Sequence, residues 1–380
     1  MSGPPVIAWT EGGEVRSARW QSEAGTAPPK KLIVADDRIT ADEAYHLACE
    51  GTALLWRGDF QNARQLLQAM ARRIERKPRK LPPATAAPAE AFHLYRLAQL
   101  QRARTLGMVL LPFEDDYRIP LRRAPDVAQA CVEAYGPGRG EHGPFVASLR
   151  ELLGVIGAHE WRKRGVEVPA LGARIHPHYG VFAPVRGEYV GLVANAPLPA
   201  GCSLAFDIGT GTGVLAAVLA RRGVERIVAT DQDPRALACA AENLARLGLA
   251  QRVELVAADL FPPGRAPLIV CNPPWLPGRA GSSLERAVYD PDSRMLLGFI
   301  GGLANHLEPG GEGWLILSDL AEHLGLRARA ELLAAIEAGG LKVSGRMDVR
   351  PSHPRAGDSS DPLHAARAAE VTSLWRLATR

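Results

Sequence analysis

The second half of the chain alternates short apolar runs with segments of helical periodicity. The apolar runs are typical of buried strands, whereas the stretches between them space their apolar residues three and four positions apart. Strands are predicted at 203–208, 226–230, 253–257, 268–271, 313–318, 341–349 and 370–378. Helices are predicted at 214–222, 234–247, within 285–306 and at 321–338. Strands that alternate with helices in this way predict an α/β fold.

Helical spacing dominates the first 165 residues. Helices are predicted at 41–50, 59–76, 91–106, 125–135 and 145–163. The second of them has one apolar face, formed by Phe60, Ala63, Leu66, Leu67, Met70 and Ile74. A short strand at 108–112 and a small β element within 1–38 interrupt this pattern, and loops are predicted at 77–90 and 136–143. We therefore predict a mainly helical accessory domain over 1–165 and the α/β domain over 166–380.

A glycine-rich segment follows the strand at 203–208. Its sequence, Gly209-Thr210-Gly211-Thr212-Gly213, leads directly into a predicted helix. Glycines at a strand-to-helix turn let the backbone approach a ligand closely, and the helix N-terminus adds hydrogen-bond donors. The dinucleotide fingerprint would place its third glycine at position 214, which is valine here, so a nicotinamide or flavin site is disfavoured.

Acidic residues stand near the ends of three successive predicted strands. They are Asp207, Asp231 and Asp259. A carboxylate at the position of Asp231 can accept both hydroxyls of a ribose, as in dinucleotide-binding folds. The alternative role of helix capping fits Asp233, which precedes Pro234, better than it fits Asp231. Together with the glycine loop, these residues predict a nucleoside-containing cofactor.

The run Asn272-Pro273-Pro274-Trp275 follows the predicted strand at 268–271. In an open α/β sheet, ligands bind at the carboxyl ends of the strands. The two prolines fix the backbone and remove two N–H donors, which leaves the side-chain carbonyl of Asn272 and backbone carbonyls to accept from an –NH2 group. Trp275 offers a flat face for stacking. This combination suits a planar nitrogen, either a nucleobase amine or a side-chain amide; a proline-rich turn with a buried tryptophan is the alternative.

Residues 203–275 resemble class I S-adenosylmethionine-dependent methyltransferases, in particular the amino-methyltransferases that carry Asn-Pro-Pro-aromatic. The resemblance extends over about 180–320 and is greatest to HemK-type protein-glutamine N5-methyltransferases. It includes 182–188 (Phe-Ala-Pro-Val-Arg-Gly-Glu), similar to that family's Pro-Arg-Pro-Glu-Thr-Glu, and 288–291 (Val-Tyr-Asp-Pro), similar to its Tyr-Glu-Pro. Two departures concern the substrate side: the family usually has Tyr at the position of Trp275, and Val185 breaks its Pro-Arg pair.

The resemblance implies a Rossmann-like, seven-stranded sheet whose last strand is antiparallel, and S-adenosyl-L-methionine as cofactor. The catalytic residues would be Asn272, Pro273, Pro274 and Trp275. The cofactor-binding residues would be Asp207, Gly209, Thr210, Gly211, Gly213, Asp231, Asp259 and Asn272. The substrate would be a macromolecule. Asn-Pro-Pro-aromatic is also shared by rRNA and DNA amino-methyltransferases, so it does not separate a protein substrate from a nucleic acid.

Composition narrows the class of protein only modestly. Of the 380 residues, 47% are hydrophobic and 23% are charged, as in ordinary globular proteins. We expect no membrane association, because no run of 18 apolar residues occurs. The five cysteines are scattered without a Cys-x-x-Cys pair, so we expect neither disulfides nor bound metal. We therefore expect a cytoplasmic protein, and we also expect it to be a monomer. His176 and His178 lie in a predicted hairpin at 172–183 with no third metal ligand evident, and we expect them to be exposed or to face the substrate.

A basic cluster lies at the end of the helix predicted at 59–76. It comprises Arg72, Arg73, Arg76, Lys77, Arg79 and Lys80. Such a cluster can contact nucleic-acid phosphates, although basic residues at a helix C-terminus are also stabilised by the helix dipole. The leading hypothesis is therefore a macromolecular N-methyltransferase with a protein-glutamine substrate. A methyltransferase of rRNA, tRNA or DNA bases, or a non-catalytic binding module that retains the cofactor fold, are the alternatives.

Overall fold

The chain forms two compact units. The computed structural model describes residues 5–76, 87–137, 143–281, 284–351 and 361–380. The first unit contains residues 1–82 and 93–160, and the second contains residues 83–92 and 161–380. The predicted boundary at 165 lies within a few residues of the division at 160. None of the described helices is long and apolar enough to cross a membrane.

The first unit is built on a six-stranded mixed sheet with the order β1-β2-β6-β5-β4-β3. Its strands are β1 (Val6–Glu11), β2 (Glu14–Trp20), β3 (Lys31–Ala35), β4 (Thr52–Trp56), β5 (Val109–Phe113) and β6 (Phe145–Ser148). The helices between and directly after these strands are α1 (Ala41–Cys49), α2 (Phe60–Arg76), α3 (Pro88–Leu106), α4 (Ala128–Tyr135) and α5 (Leu149–Arg164).

The prediction of a mainly helical first domain missed the six-stranded sheet on which this unit is built. Residues 52–56 (Thr-Ala-Leu-Leu-Trp) form a fully buried strand, and such a continuous apolar run has neither the alternation of an exposed strand nor the spacing of a helix. Residues 145–148 were expected to begin a helix, but they form β6, which pairs antiparallel with β5. The start of α3 at Pro88 also shortens the predicted loop at 77–90. Residues 77–86, and residues 138–142 of the predicted loop at 136–143, lie outside the described part of the chain.

The second unit is built on a seven-stranded sheet with the order β11-β10-β9-β12-β15-β17-β16. Its strands are β9 (Leu204–Ile208), β10 (Arg226–Asp231), β11 (Val253–Ala257), β12 (Ala266–Cys271), β15 (Leu307–Ser318), β16 (Leu341–Val349) and β17 (Thr372–Thr379). β17 runs antiparallel to both of its neighbours, whereas the pairings among β9, β10, β11, β12 and β15 are parallel. The predicted Rossmann-like class I methyltransferase sheet is therefore confirmed.

Helices and two small ribbons complete this unit. The ribbons are β7 (Val166–Val168) with β8 (Ala173–Ile175), and β13 (Leu276–Pro277) with β14 (Tyr289–Asp290). The helices are α6 (Glu188–Asn195), α7 (Val214–Arg221), α8 (Pro234–Arg246), α9 (Arg294–His306), α10 (Leu320–His323), α11 (Arg329–Ala338) and α12 (His364–Ala369). The helix predicted at 321–338 is thus two helices, α10 and α11. The hairpin predicted at 172–183 is formed by β7 and β8 instead, and it begins six residues earlier than predicted.

The central strands bury both faces. In β12, Leu268 and Val270 belong to one apolar cluster and Ile269 and Cys271 to another, as the alternation of side chains along a strand requires. The first cluster also contains every residue of α7 from Val214 to Ala220. Burial on both faces explains why these strands read as continuous apolar runs in the sequence.

Phe145 provides a test of the strand assignment in the first unit. Its ring stacks on that of Phe113 with centroids 4.6 Å apart, and its side chain is buried. We expect Phe145→Ala to lower the free energy of unfolding of this unit by about 3–5 kcal/mol, the usual cost of removing a buried phenylalanine. Urea denaturation monitored by circular dichroism measures this change. Val132→Ala, at an exposed position of α4, is the control and should stay within about 0.5 kcal/mol of wild type; equal effects of the two substitutions would contradict the assignment.

Candidate active site

The carboxyl ends of three neighbouring strands bring the sequence motifs together. β9 lies between β10 and β12, and Ile208 at its end pairs with Cys271 of β12. The residues that follow, Gly209 and Asn272, therefore lie side by side, since neighbouring strands are about 4.8 Å apart. Asp231 ends β10 on the other side of β9. The strand order reverses between β9 and β12, and such a reversal forms a ligand-binding crevice in open α/β sheets.

The glycine loop adopts a conformation that favours glycine at each of its three glycine positions. Gly209, Gly211 and Gly213 have φ angles of 72°, 55° and 79°. A Cβ atom on Gly213 would lie 3.2 Å from Cα of Ala240, so this glycine allows the loop to pack against α8. A Cβ atom on Gly211 would meet no described atom within 4 Å. The backbone at Gly211 therefore borders open space, where a ligand could approach it closely.

Asp207 holds the glycine loop in place through hydrogen bonds. Its carboxylate accepts hydrogen bonds from the hydroxyl of Thr210 (2.7 Å) and from the backbone N–H of Ala216 in the first turn of α7 (3.1 Å). Asp207 is only 1% exposed, and burial raises the pKa of its carboxyl to about 6 against the hydrogen bonds that lower it. Asp207 and Thr210 thus hold the loop to the helix, and both side chains are turned into the protein interior.

Asp231 is linked to the loop from the neighbouring strand. Its carboxylate accepts from the backbone N–H of Gly211 (3.0 Å) and of Asp233 (2.9 Å). The pKa of this carboxyl is raised above its usual value, mainly by burial. The two oxygens have about four acceptor sites between them, so these bonds leave capacity for a further donor. Asp231 can therefore position the loop and still accept hydroxyl groups of a ligand. Asp233, as its sequence position suggests, caps α8 by accepting from the N–H of Arg235.

Asp259 lies after the end of β11 in an exposed position. Its carboxylate forms an ion pair with Arg294 at the start of α9, and both side chains are more than half exposed. An exposed pair of this kind contributes little to stability. Asp259 remains accessible to a ligand, although a cofactor group bound there would compete with Arg294.

The Asn-Pro-Pro-Trp segment forms a loop with an internal hydrogen bond. The indole Nε1–H of Trp275 donates to Oδ1 of Asn272 over 2.9 Å. The side-chain carbonyl of Asn272 is therefore already engaged by one partner, and its second lone pair is the one that a substrate amino group would use. Trp275 packs against both apolar clusters of the sheet. The loop thus orients its own acceptor.

The residues after this loop anchor it to the segment that resembles Tyr-Glu-Pro. Leu276 and Pro277 of β13 pair with Tyr289 and Asp290 of β14. The buried carboxylate of Asp290 in turn accepts from the N–H groups of the first two residues after Arg294, each at 3.1 Å, and so caps α9. The downstream motif is therefore the support on which the Asn-Pro-Pro-Trp loop rests.

Two arginines contact Trp275, and neither was among the site residues predicted from the sequence. Arg186 lies over the indole ring with its guanidinium carbon 5.4 Å from the ring centroid. Arg327 donates to the backbone carbonyl of Trp275 at 3.4 Å, and burial lowers the pKa of its guanidinium. The only sequence signal was the resemblance at 182–188, which contains Arg186; nothing in the local pattern marks Arg327.

The histidines of the predicted hairpin are structural. His176 Nδ1 is 2.6 Å from the carbonyl oxygen of Arg162, and His178 Nε2 is 2.7 Å from Glu242. The backbone N–H of His176 also donates to Asn243, whose side-chain amide donates to the carbonyl of Thr212 in the glycine loop. The expectation that these histidines are exposed is wrong, because both are half-buried and hold the incoming chain against α8. Among the described residues, no group of three or more His, Cys, Asp or Glu could hold a metal ion.

Comparison with known proteins identifies the type of domain. Residues 174–327 match the family model described as methyltransferase small domain. The chain is 35% identical over 196 residues to the release factor glutamine methyltransferase of Cereibacter sphaeroides, covering 48% of this chain and 65% of that protein. It is 37% identical over 144 residues to the ribosomal protein L11 methyltransferase of Pelotomaculum thermopropionicum, covering 37% of this chain and 39% of that protein.

The chain is also similar to a third relative and to a solved structure. The tRNA1(Val) (adenine(37)-N6)-methyltransferase of Bacteroides fragilis is 30% identical over 150 residues, covering 35% of this chain and 63% of that protein. The S-adenosyl-L-homocysteine complex of a methyltransferase from Thiobacillus denitrificans is 19% identical with a TM-score of 0.36, covering 52% of this chain and 92% of that one. The chain spans less than two thirds of the length of each of the three sequence relatives. The resemblance stated from the motifs is confirmed: residues 174–327 are a methyltransferase-type domain.

The pKa of Asp207 provides a test of its buried position. Because this pKa lies above the ordinary value of 3.8, the folded protein holds the proton more tightly than the unfolded chain does. The stability that this group contributes is fully present below about pH 4 and is lost as the pH rises through about 6. The difference in pKa corresponds to about 3 kcal/mol.

We expect Asp207→Asn, which cannot ionise, to gain about 3 kcal/mol relative to wild type between pH 4 and pH 7.5. Urea denaturation of both proteins without cofactor at the two pH values measures the change. Glu254→Gln, at an exposed position of β11, is the control and should follow wild type. A constant difference between Asp207→Asn and wild type across this range would show that Asp207 does not titrate as described.

Proposed function

We propose that the protein is an S-adenosylmethionine-dependent N-methyltransferase that methylates a planar amide or amine nitrogen of a macromolecule. The observation that supports this most directly is the placement of Asn272 beside the glycine loop at the carboxyl edge of the sheet. A hydrogen-bond acceptor for an –NH2 group and a cofactor loop on adjacent strands are what transfer of a methyl group to nitrogen requires. The relatives are named as methyltransferases of release factor glutamine, ribosomal protein L11 and tRNA adenine.

The residues at the glycine loop suit a nucleoside cofactor. Gly211 exposes backbone to open space, and Asp231 retains acceptor capacity for ribose hydroxyls while it holds the loop. Asp259 provides a further exposed carboxylate after the next strand. When bound, S-adenosylmethionine supplies a sulfonium-activated methyl group, so the protein needs mainly to position the attacking nitrogen.

The chemistry of the acceptor side follows from Asn272 and Pro273. The lone pair of an amide or exocyclic amine is delocalised into its π-system. Hydrogen bonds from the substrate –NH2 to the side chain of Asn272 and to the backbone carbonyl of Pro273 would favour a pyramidal nitrogen with a localised lone pair. The same acceptors stabilise positive charge that develops on that nitrogen during transfer. No strong base is required, because the proton can leave after the methyl group has been transferred.

A protein glutamine is the substrate we propose, with a nucleic-acid base as the alternative. The Asn-Pro-Pro-Trp loop and the segments at 182–188 and 288–291 support the protein substrate, since all three resemble the glutamine methyltransferases. The basic cluster at 72–80 supports the alternative. Of its described members, Arg72 and Arg76 are exposed and Arg73 is paired with Asp42. Lys77, Arg79 and Lys80 lie outside the described residues.

One experiment tests the activity and distinguishes these substrates. The full-length protein is incubated with methyl-labelled S-adenosylmethionine and cell lysate, and the labelled product is treated separately with protease and with nuclease. We expect protease to release the label. Release by nuclease would show that the substrate is a nucleic-acid base instead. Absence of label in the macromolecular fraction would contradict the methyltransferase function itself.

Asp231 tests the cofactor site. We expect Asp231→Ala to weaken S-adenosylmethionine binding by about 1–3 kcal/mol, the cost of leaving two ribose hydroxyls without their acceptor. Isothermal titration calorimetry measures the affinity. Asp231→Asn should have a smaller effect, because it keeps one carbonyl acceptor, and Glu254→Ala on the neighbouring strand should have none. Wild-type protein that binds a nicotinamide dinucleotide and not S-adenosylmethionine would overturn the cofactor assignment.

Asn272 tests the acceptor role. We expect Asn272→Ala to lower the rate of methyl transfer by about 100-fold or more, as for the loss of one hydrogen bond made in the transition state. Affinity for the cofactor should change by less than about 1 kcal/mol. Asn272→Asp keeps an acceptor for both the substrate and Trp275, and it should retain part of the activity.

The matched control is Asn195→Ala, at an exposed position of α6, which should leave the rate unchanged. Single-turnover kinetics with the labelled cofactor give the rates. If Asn272→Ala transfers methyl groups at the wild-type rate, or if the Ala and Asp variants are equally inactive, Asn272 is not the acceptor.

A further inference from the structure

Arg186 lies at a junction of three segments that are far apart in the sequence. Its guanidinium group forms two hydrogen bonds with the carboxylate of Glu370, at 3.2 and 3.0 Å, and a third with Glu188 at 3.2 Å. The same group lies over the ring of Trp275. The planar guanidinium is therefore fixed in both position and orientation, since a two-point contact with a carboxylate allows little rotation.

Glu370 is an unusual residue for its place in the fold. It lies two residues before β17, is only 2% exposed, and accepts a hydrogen bond from the hydroxyl of Ser318 at 2.7 Å. A buried carboxylate is costly unless it is paired and hydrogen-bonded, and Glu370 is both. Ser318 on β15 and Arg186 thus hold the carboxylate of Glu370 in one position.

Trp275 transmits this arrangement to Asn272. One face of its indole ring meets the guanidinium of Arg186, and its Nε1–H donates to Oδ1 of Asn272. A guanidinium over an aromatic face within about 6 Å is an attractive contact that depends on the orientation of the ring. The orientation of the ring in turn sets the direction of the N–H bond, and hence which lone pair of Asn272 remains for a substrate.

We propose that Glu370 and Arg186 are positioning residues for methyl transfer. They hold Trp275 so that its indole N–H occupies one lone pair of Asn272 and directs the other towards the incoming –NH2 group. This inference rests on the acceptor role proposed above for Asn272. It also assigns a role to the tryptophan at this position, because its ring N–H donates the hydrogen bond to Asn272.

A second acid–arginine pair, which joins β15 to β17, provides a matched control. Glu312 of β15 forms hydrogen bonds with Arg376 of β17, and it also accepts from the indole Nε1–H of Trp314 at 3.0 Å. This pair resembles the Glu370–Arg186 pair in chemistry and in its contact with a tryptophan, but none of its contacts involves Trp275. Each acid should therefore influence its own tryptophan.

The test uses the indole N–H signals of the full-length protein in nitrogen-15 NMR spectra. Each of the seven tryptophans has one indole N–H, and Trp275→Phe and Trp314→Phe assign the two signals that matter. We expect Glu370→Gln to move the Trp275 signal and to leave that of Trp314 in place, whereas Glu312→Gln should do the reverse. We also expect Glu370→Gln to lower kcat at least about tenfold, since small misplacements of reacting groups are costly. Its affinity for S-adenosylmethionine should remain that of wild type, and Glu312→Gln should keep the wild-type kcat.

The two readouts separate this inference from the function on which it rests. An unmoved Trp275 signal in folded Glu370→Gln would overturn the inference, and so would a moved signal with an unchanged kcat. If the wild-type protein transfers no methyl group, the proposed function fails, but the indole signals still decide whether Glu370 orients Trp275. Should Glu370→Gln fail to fold, Arg186→Lys serves in its place. It keeps the positive charge but cannot form the two-point contact, so the same shift of the Trp275 signal and the same loss of kcat are expected.

Discussion

The parallel hydrogen bonding of β9 to β10 on one side and β12 on the other is the constraint on which the site depends. All three strands end at the same edge of the sheet, so the segments that follow them must lie next to one another. The glycine loop, Asp231 and Asn272 are spread over residues 209–272 of the sequence. A shift of one residue in either pairing would turn alternate side chains to the opposite face of the sheet and separate these groups.

Two buried acidic residues link segments at this edge, and they do so in different ways. Asp207 joins the glycine loop to the first turn of α7, whereas Glu370 joins the start of the last strand to Arg186 and Ser318. Each would be costly to bury alone, and each is satisfied by hydrogen bonds from segments that border the site. Removal of one partner would leave the other uncompensated, so these residues couple the stability of the unit to the geometry of the crevice.

The two halves of the chain differed in how well their patterns predicted structure. In the second half, strands buried on both faces gave continuous apolar runs bounded by glycine, proline or acidic residues, and the sheet order followed the predicted class I arrangement. In the first half, β4 and β6 lie directly next to residues with good helical spacing, and their short apolar runs carry no periodicity that separates a buried strand from a helix. Tertiary pairing within the six-stranded sheet decided their conformation.

The sequence by itself determined which residues could do the chemistry of the site. Glycines at three positions of positive φ, an acid at the end of β10 and an amide followed by two prolines are local features, and local sterics and hydrogen-bonding capacity are enough to recognise them. Only the tertiary structure decided what surrounds these residues. That His178 pairs with Glu242, that Trp275 donates to Asn272, and that Arg186 joins Trp275 to Glu370 all depend on contacts between segments distant in the chain. Such contacts arise from packing and from the need to satisfy buried charges, and neither leaves a periodic signal in the sequence.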